Sequence, residues 1–257
     1  MLRPGSFAIT ALLAALTAVG PLSTDMYVPS LPDIVRLLDA DAAEGQLTIS
    51  AYLIGFAVGQ IVYGPLSDRH GRKPVLLGAI LIYCAASAAC ALSTTIDALV
   101  AARAVQAFGG CGAAVLARAV VRDLYSGARA GRELSLIGSV MALAPVLAPI
   151  AGGILQTAFG WRSIFVTLVL AGVIGATIVV LLLPETLKQR AAEPVSLVSM
   201  LASYRVLGRS NAYLAYMGLA AISYAGLFAW ISASPFILQN VYGLSPVDFG
   251  LIFAIAS

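Results

Sequence analysis

The chain has 257 residues, of which 60% are hydrophobic and 11% are charged, and its mean hydropathy is +0.95. This composition excludes a soluble globular domain. The formal net charge of +3 gives no indication of nucleic-acid binding.

Apolar runs long enough to cross a bilayer, which takes about 20 residues in a helix, follow one another along the chain. The complete runs lie at 7–28, 46–66, 74–93, 97–117, 133–156, 162–183 and 212–236. An eighth run begins near Phe249. The first run is too long for a cleavable signal peptide and has no small-residue cleavage pattern. The sequence therefore predicts an all-α, multi-pass membrane protein.

The runs fall into two groups separated by a polar stretch. Residues 1–183 are predicted to form an N-terminal six-helix transmembrane bundle. Residues 184–211 are basic at both ends and are expected to be a cytoplasmic linker, helical in part at 195–207. Residues 212–257 are predicted to begin a C-terminal bundle with helix 7 and part of helix 8.

Lys and Arg residues in the short loops predict the orientation of the helices. With the N-terminus in the cytoplasm, twelve of these residues fall on the inner side. Only Arg36 and Arg162 fall on the outer side, and Arg103 lies within a run. We therefore expect a cytoplasmic N-terminus.

Two charged side chains within the runs are candidates for transport chemistry. An ionised carboxylate at membrane depth is costly, so Asp25 in the first run is a candidate for binding and releasing a proton. The alternative is that Asp25 reaches the external interface, since Pro29 and Pro32 follow it. Arg103 is always charged and would tune a facing carboxylate, unless it extends to the outer boundary of the membrane.

Polar and aromatic residues on three runs are candidates for a substrate cavity. Gln106 shares one helix face with Arg103, at the i, i+3 spacing. In the second run, tyrosines and glycines form a stripe that includes Tyr52, with Gln60 beside it. Such residues can contact a drug-like ligand in a largely apolar cavity. The predicted cavity residues are Tyr27, Tyr52, Gln60 and Gln106.

The stretch GPLSDRHGRKPVLL, at 64–77, is predicted to be a charged turn after the second helix. Asp68 would follow the helix end, Arg72 would fix the turn, and Pro74 would begin the next helix. Asp123, at the end of the fourth helix, would complete a charge cluster. A solvated loop that only sets topology would explain the cations, but not Asp68 or the glycines. The candidate residues here are Gly64, Asp68, Arg69, Gly71, Arg72 and Asp123.

The fifth run, GSVMALAPVLAPIAGG, carries a stripe of small residues and two prolines. Small residues let helices approach closely, and prolines bend a helix by removing backbone donors. Ordinary helix packing is the alternative explanation. The candidate residues are Pro145, Pro149, Gly152 and Gly153.

Cysteine and histidine patterns predict no metal site and no cofactor. Cys84, Cys90 and Cys111 lie in apolar runs without metal-ligand spacing and are expected to be small buried hydrophobes. His70, in the charged turn, has no companion ligand. The sequence also has no nucleotide-binding loop and no nucleophile–histidine pair, so we expect no enzymatic activity.

The charged turn resembles the pattern G-x-L-[AS]-D-R-x-G-R-[KR] of the loop between helices two and three of the major facilitator superfamily. The RAVQ string of the fourth run resembles its R-x-x-Q-G pattern, with Ala107 in place of glycine. Six strings occur in an order that resembles the Bcr/CflA branch of drug:proton antiporters. They are TDMYVPSLP, RAVVRDLY, ALAPVLAPIAGG, FGWRSIF, LPETL and SPFILQNVYGLSPVDFGL.

The resemblance implies a monomeric, proton-coupled multidrug exporter in the bacterial inner membrane, in contact with lipid. It would exchange protons for small hydrophobic drug-like substrates, such as bicyclomycin or chloramphenicol, by alternating access. Asp25 would carry the proton with Arg103 as its electrostatic partner, and Asp68 would latch the outward-facing state. The fifth helix would pack against the second half.

The resemblance covers about five-eighths of a twelve-helix transporter built from two halves. A helix that stopped at Ser257 would leave backbone groups in lipid, so we expect the sequence to be a truncated, N-terminal part of a longer protein. A metabolite exporter of the same superfamily and an inactive fragment are the alternatives.

Overall fold

The computed structural model describes residues 7–187, 205 and 207–256. These residues form α-helices and no strand. The helices are α1 (Phe7–Asp25), α2 (Leu31–Leu37), α3 (Ala42–His70), α4 (Arg72–Leu92), α5 (Ile96–Leu124), α6 (Gly127–Phe159), α7 (Arg162–Leu182), α8 (Asn211–Pro235) and α9 (Pro246–Ala256). A 3₁₀ turn (Val28–Ser30) joins α1 to α2, and a π-helical segment (Phe236–Val241) follows α8.

Seven helical stretches in this part of the chain are long and apolar enough to cross a membrane. The first combines α1, the 3₁₀ turn and α2, and the others are α3 to α7 and α8 with its π-helical extension. The predicted all-α membrane fold is confirmed. The helix predicted at 195–207 lies largely outside the described residues, and the proposed domain boundaries stay predictions.

The charged turn is shorter than the sequence predicted. α3 continues to His70 and α4 begins at Arg72, so Asp68 and Arg69 lie in the last turn of α3, and the connection is Gly71 alone. The prediction that Asp68 follows the helix end was wrong. Charged residues can extend a helix beyond its apolar run into the headgroup region. Pro74 is tolerated near the start of α4 because the first N–H groups of a helix have no intrahelical partner.

The outer ends of the first two spans also differ from the apolar runs. The chain stays helical beyond Pro29 and Pro32, which are the second residues of the 3₁₀ turn and of α2. α3 begins at Ala42 because Asp41 and Glu44 form a capping box, with hydrogen bonds of 2.7 and 2.8 Å. A capping box therefore sets the start of α3, and prolines at early helical positions, where they are tolerated, let the first span continue past its apolar run.

Glycines bring the helices around α5 into close contact. A methyl group on Gly55 of α3 would overlap the backbone carbonyl of Ala104 on α5. At the contact between α5 and α4, a methyl group on Gly109 of α5 would overlap the backbone of Tyr83 on α4. Small residues permit such backbone contact between membrane helices. α5 is thereby held in the interior, where it carries Arg103.

The first helices of the second group pack on the first group at the end predicted to be external. Methyl groups on Gly153 of α6 and Gly250 of α9 would each overlap the backbone of the other helix. The Gln239 side chain donates a hydrogen bond to the Pro29 carbonyl at 2.8 Å. By contrast, most side chains of α8 are exposed. The described contacts between the two groups therefore concentrate at one end of the molecule.

Candidate transport site

Arg103 lies in the interior of the bundle and is 0% exposed. Its Nη1 donates hydrogen bonds to the backbone carbonyl of Ser23 at 3.0 Å and to Oε1 of Gln106 at 2.7 Å. The alternative in which Arg103 extends to the membrane boundary does not describe this structure. The Ser23 bond places a permanent positive charge beside the end of α1.

Aromatic rings cover the guanidinium of Arg103. Its central carbon lies 4.6 Å from the ring centroid of Tyr27 and 4.3 Å from that of Tyr52. A third ring, that of Phe165, is 5.9 Å away. A cation over an aromatic face is attracted to the negative face of the ring, most strongly where water is excluded. The cluster thus stabilises a charge that would otherwise be costly to bury.

A chain of hydrogen bonds extends from Gln106 to α1. The amide nitrogen of Gln106 donates to the Ser87 hydroxyl at 2.8 Å, and that hydroxyl donates to the Tyr83 carbonyl at 2.7 Å. The Tyr83 hydroxyl lies 2.7 Å from the hydroxyl of Ser23. Sequence reasoning missed these serines and Tyr83, because a lone hydroxyl in an apolar run carries no distinctive signal.

Asp25 is buried at the last position of α1, two residues beyond Ser23. Among the residues that the structure describes, its carboxylate has no hydrogen-bond or ion-pair partner. The structure thus brings Asp25 and Arg103 to the same end of α1 without a direct ion pair. Their electrostatic coupling stays a prediction.

The predicted cavity residues separate into two sets. Tyr27, Tyr52 and Gln106 surround Arg103 and are fully buried or nearly so. Gln60 is exposed and makes no hydrogen bond within the described part of the chain. The structure therefore groups three of the four residues and leaves Gln60 apart from them.

A second charge cluster lies at the predicted cytoplasmic end. Arg72 makes ion pairs with Asp68 at 2.6 Å and with Asp123 at 2.9 Å, and Nη1 also donates to the Ser67 hydroxyl at 2.6 Å. Arg72 therefore joins the end of α3, the start of α4 and the end of α5. Arg69 is exposed and has no ion pair among the described residues.

Glu185, which follows α7, completes this cluster. Its carboxylate accepts hydrogen bonds from the backbone N–H groups of Arg72 and Lys73, at 3.0 and 3.2 Å. Burial alone would raise the pKa of Glu185. Hydrogen bonds from the backbone N–H groups of Leu187, Arg72, Lys73 and Thr186 lower it by more than burial raises it, so the pKa lies below its ordinary value. The sequence contains this residue in LPETL, but its role was not predicted.

The two candidate glycines of the 64–77 stretch, Gly64 in α3 and Gly71 after it, differ in their surroundings. Gly71 has φ of +102°, which L side chains rarely adopt, and a Cβ there would stand 2.6 Å from Oε2 of Glu185. Gly64 faces open space, with nothing within 4 Å of a Cβ. The structure therefore requires glycine at 71 and gives no local reason for it at 64.

The predicted small-residue stripe of α6 lies at helix contacts. A methyl group on Gly152 would overlap the backbone carbonyl of Met26, and one on Gly153 that of Pro246. Pro149 is buried, and its carbonyl faces Gly250 of α9. Pro145 lies one turn before Pro149 in the same helix. This part of α6 is thus held against both α1 and the second group of helices.

Comparison with known proteins now identifies the family. A family model described as Major Facilitator Superfamily matches residues 13–257. The chain belongs to the major facilitator superfamily. Members of this superfamily are transporters rather than enzymes.

Several relatives of this major facilitator chain carry names connected with drug resistance. It is 32% identical to the bicyclomycin resistance protein homolog of Haemophilus influenzae, over 98% of the chain and 63% of that protein. It is 33% identical to the chloramphenicol resistance protein of Pseudomonas aeruginosa, over 95% of the chain and 57% of that protein. The "Uncharacterized MFS-type transporter YdgK" of Bacillus subtilis is 38% identical over 96% of the chain and 62% of its own length.

The expected resemblance to the bicyclomycin and chloramphenicol resistance proteins is therefore confirmed. The chain spans about three-fifths of the length of these relatives. The fold is also that of a bacterial homologue of the human lysosomal transporter Spinster in an inward-facing, occupied conformation. That structure gives a TM-score of 0.78 at 17% identity, over 100% of this chain and 60% of its own.

Proposed function

We propose that this chain provides the first bundle, and the start of the second, of a proton-coupled exporter of small hydrophobic drug-like compounds. The observation that carries this proposal is the buried charge of Arg103 beside the end of α1, where Asp25 is also buried. Buried ionisable groups in membrane helices mark ion or substrate pathways. The names of the relatives support bicyclomycin-like or chloramphenicol-like substrates.

In the proposed mechanism, Asp25 takes up a proton from outside and releases it inside during one cycle of alternating access. Asp25 and Arg103 form no direct ion pair here, so in this proposal the fixed charge of Arg103 would act on the ionised form of Asp25 when the two approach during the cycle, and protonation would remove that attraction. Substrate would bind in a cavity between the two halves near the midplane. We propose that the protein acts as a monomer in a bacterial inner membrane with its N-terminus in the cytoplasm.

The charge cluster at the cytoplasmic end supports a role in switching between states. Arg72 holds Asp68 and Asp123 together, while the Asp68 side chain is 44% exposed. Its carboxylate is therefore accessible to a further partner. A helix N-terminus of the second half would suit it, because a carboxylate is stabilised there.

The test expresses the 257-residue chain, and any longer reading frame that contains it, in an efflux-deficient bacterial host. We expect the longer form to lower chloramphenicol accumulation in a manner that collapses with the proton gradient. Asp25→Asn should abolish this effect while the protein still reaches the membrane. Unchanged, pH-dependent efflux by the variant would remove Asp25 from the mechanism.

The same experiment, with drug resistance as a further readout, distinguishes two alternative functions. Resistance from neither form, with both in the membrane, would favour a metabolite exporter of the same superfamily. Resistance from the longer form alone would show that the 257-residue chain is inactive by itself. Efflux by the 257-residue chain itself would contradict a requirement for a complete second half.

A further inference from the structure

The two tyrosines that contact Arg103 are held by bonds of their own. The Thr48 hydroxyl donates to the Gly45 carbonyl at 2.6 Å, so it accepts the hydrogen bond from the Tyr27 hydroxyl at 2.8 Å. The Tyr52 hydroxyl donates to the Gly20 carbonyl at 3.2 Å. These bonds orient the two hydroxyls, while the rings themselves are held by close packing, since neither residue is more than 2% exposed.

Neither tyrosine has surface available for a substrate. Tyr27 is 0% exposed and Tyr52 is 2% exposed. The ring of each is within 5 Å of the Arg103 guanidinium carbon, at 4.6 and 4.3 Å. A cavity-lining role, which the sequence predicted, would require a ring face or hydroxyl open to the cavity.

The guanidinium itself has a deficit of polar partners. Nη1 of Arg103 bonds to Ser23 and Gln106, but Nε and Nη2 are buried without a hydrogen-bond acceptor in the described part of the chain. An arginine so buried loses its hydration. The aromatic faces of Tyr27 and Tyr52 therefore supply part of the stabilisation that water would give.

We propose that Tyr27 and Tyr52 are positioning residues for Arg103 and do not line the substrate cavity. They hold the guanidinium in a single place beside α1, so that its charge acts on the coupling step in a fixed geometry. The inference rests on the proposed function, because coupling is the property that their loss would change.

The test measures efflux of chloramphenicol in proteoliposomes containing the longer reading frame, across a range of pH. The variants are Tyr27→Leu and Tyr52→Leu, which remove the aromatic face, and Tyr27→Phe and Tyr52→Phe, which keep it. Tyr63→Leu is the matched control, because Tyr63 lies on α3 like Tyr52, is 2% exposed and packs on Phe108 instead of Arg103. All variants are first compared for yield and for a single peak in size-exclusion chromatography.

For the Leu variants we expect the maximal rate to fall by about tenfold or more, with KM changed by less than about threefold. Their pH profile should change, while the Phe variants keep the wild-type profile. A raised KM with an unchanged maximal rate and pH profile would show substrate contact and overturn the inference. Equal damage from Phe and Leu would also overturn it, because the hydroxyl would then be the important group.

A second readout is independent of transport. The 257-residue chain in detergent is treated with phenylglyoxal, which modifies accessible arginines, and Arg103 labelling is followed by mass spectrometry. The Leu variants should label several-fold faster than the wild type and the Phe variants. Equal labelling would overturn the inference. If a Leu variant fails to fold, Met fills the volume without an aromatic face and replaces it.

These two readouts separate the failure of the inference from that of the proposed function. Absence of wild-type chloramphenicol efflux, with labelling that still depends on the rings, would reject the exporter and retain the positioning role. If the wild type exports chloramphenicol, but Arg103 labelling and the pH profile are the same in the Leu variants as in the wild type, the exporter is retained and the positioning role is rejected.

Discussion

The carboxylate of Glu185, just beyond α7, accepts a hydrogen bond from the backbone N–H of Arg72, the first residue of α4, at 3.0 Å. A residue that follows α7, the sixth span, thereby caps α4, the third span. The first N–H groups of a helix have no intrahelical acceptor, and a carboxylate is favoured there by the helix dipole.

Glu185→Ala should lower the free energy of unfolding by about 1 kcal/mol, as for loss of a helix cap. Glu185→Gln should cost less, because its amide oxygen can still accept one of these hydrogen bonds. Thermal unfolding of the 257-residue chain in detergent, followed by circular dichroism, measures both. If Ala and wild type unfold together, the bond contributes nothing to stability.

The same contact predicts a pH dependence. The pKa of Glu185 is lower in the folded protein than its ordinary value of 4.5. Its stabilisation should therefore be fully present above that value and disappear as the pH falls through the lowered, folded-state pKa. The measurement is the difference in unfolding temperature between wild type and Glu185→Ala at several pH values. A difference that grows on acidification would contradict the sign.

Two glycines facing the same part of the bundle predict opposite effects of alanine. A Cβ on Gly109 would stand 2.5 Å from the backbone nitrogen of Tyr83, whereas one on Gly175 of α7 would make an ordinary contact of 3.7 Å with Leu16. Gly109→Ala should destabilise by about 1–3 kcal/mol, and Gly175→Ala should stabilise by about 0.4–1 kcal/mol. Unfolding temperatures of the two variants test this directly, and the same sign for both would refute it.

Asp68→Ala should reduce turnover more than it raises KM. Arg72 would still pair with Asp123 at 2.9 Å, so the loop should stay folded while the switching step loses its carboxylate. Chloramphenicol efflux by the longer reading frame, as rate against concentration, gives both constants. Asp97→Ala, at the opposite end of the bundle and exposed, is the matched control. A pure rise in KM would argue against a role in switching.

Hydropathy and helical spacing predicted much of this molecule. The apolar runs located the spans, and the i, i+3 spacing placed Gln106 on the same face as Arg103, where the side chains bond at 2.7 Å. Helical geometry also explains one separation. Gln60 is eight residues from Tyr52, which turns it about 80° around α3, and its side chain is exposed.

Contacts between distant helices could not be predicted in the same way. The Glu185–Arg72 bond joins residues 113 apart, and no local pattern in LPETL identifies its partner. The rings of Tyr27 and Tyr52 reach Arg103 from two other elements of the bundle. Both arrangements depend on how the helices pack, which a single sequence does not reveal.

The surroundings of Arg103 also bear on how the protein is made. Tyr27, Tyr52 and the Ser23 carbonyl all precede Arg103 in the chain, whereas Gln106 and Phe165 follow it. The ribosome therefore delivers three of the groups that contact the guanidinium before α5 is synthesised. An arginine that would be costly to insert into lipid alone therefore enters a membrane that already contains three of the groups it contacts.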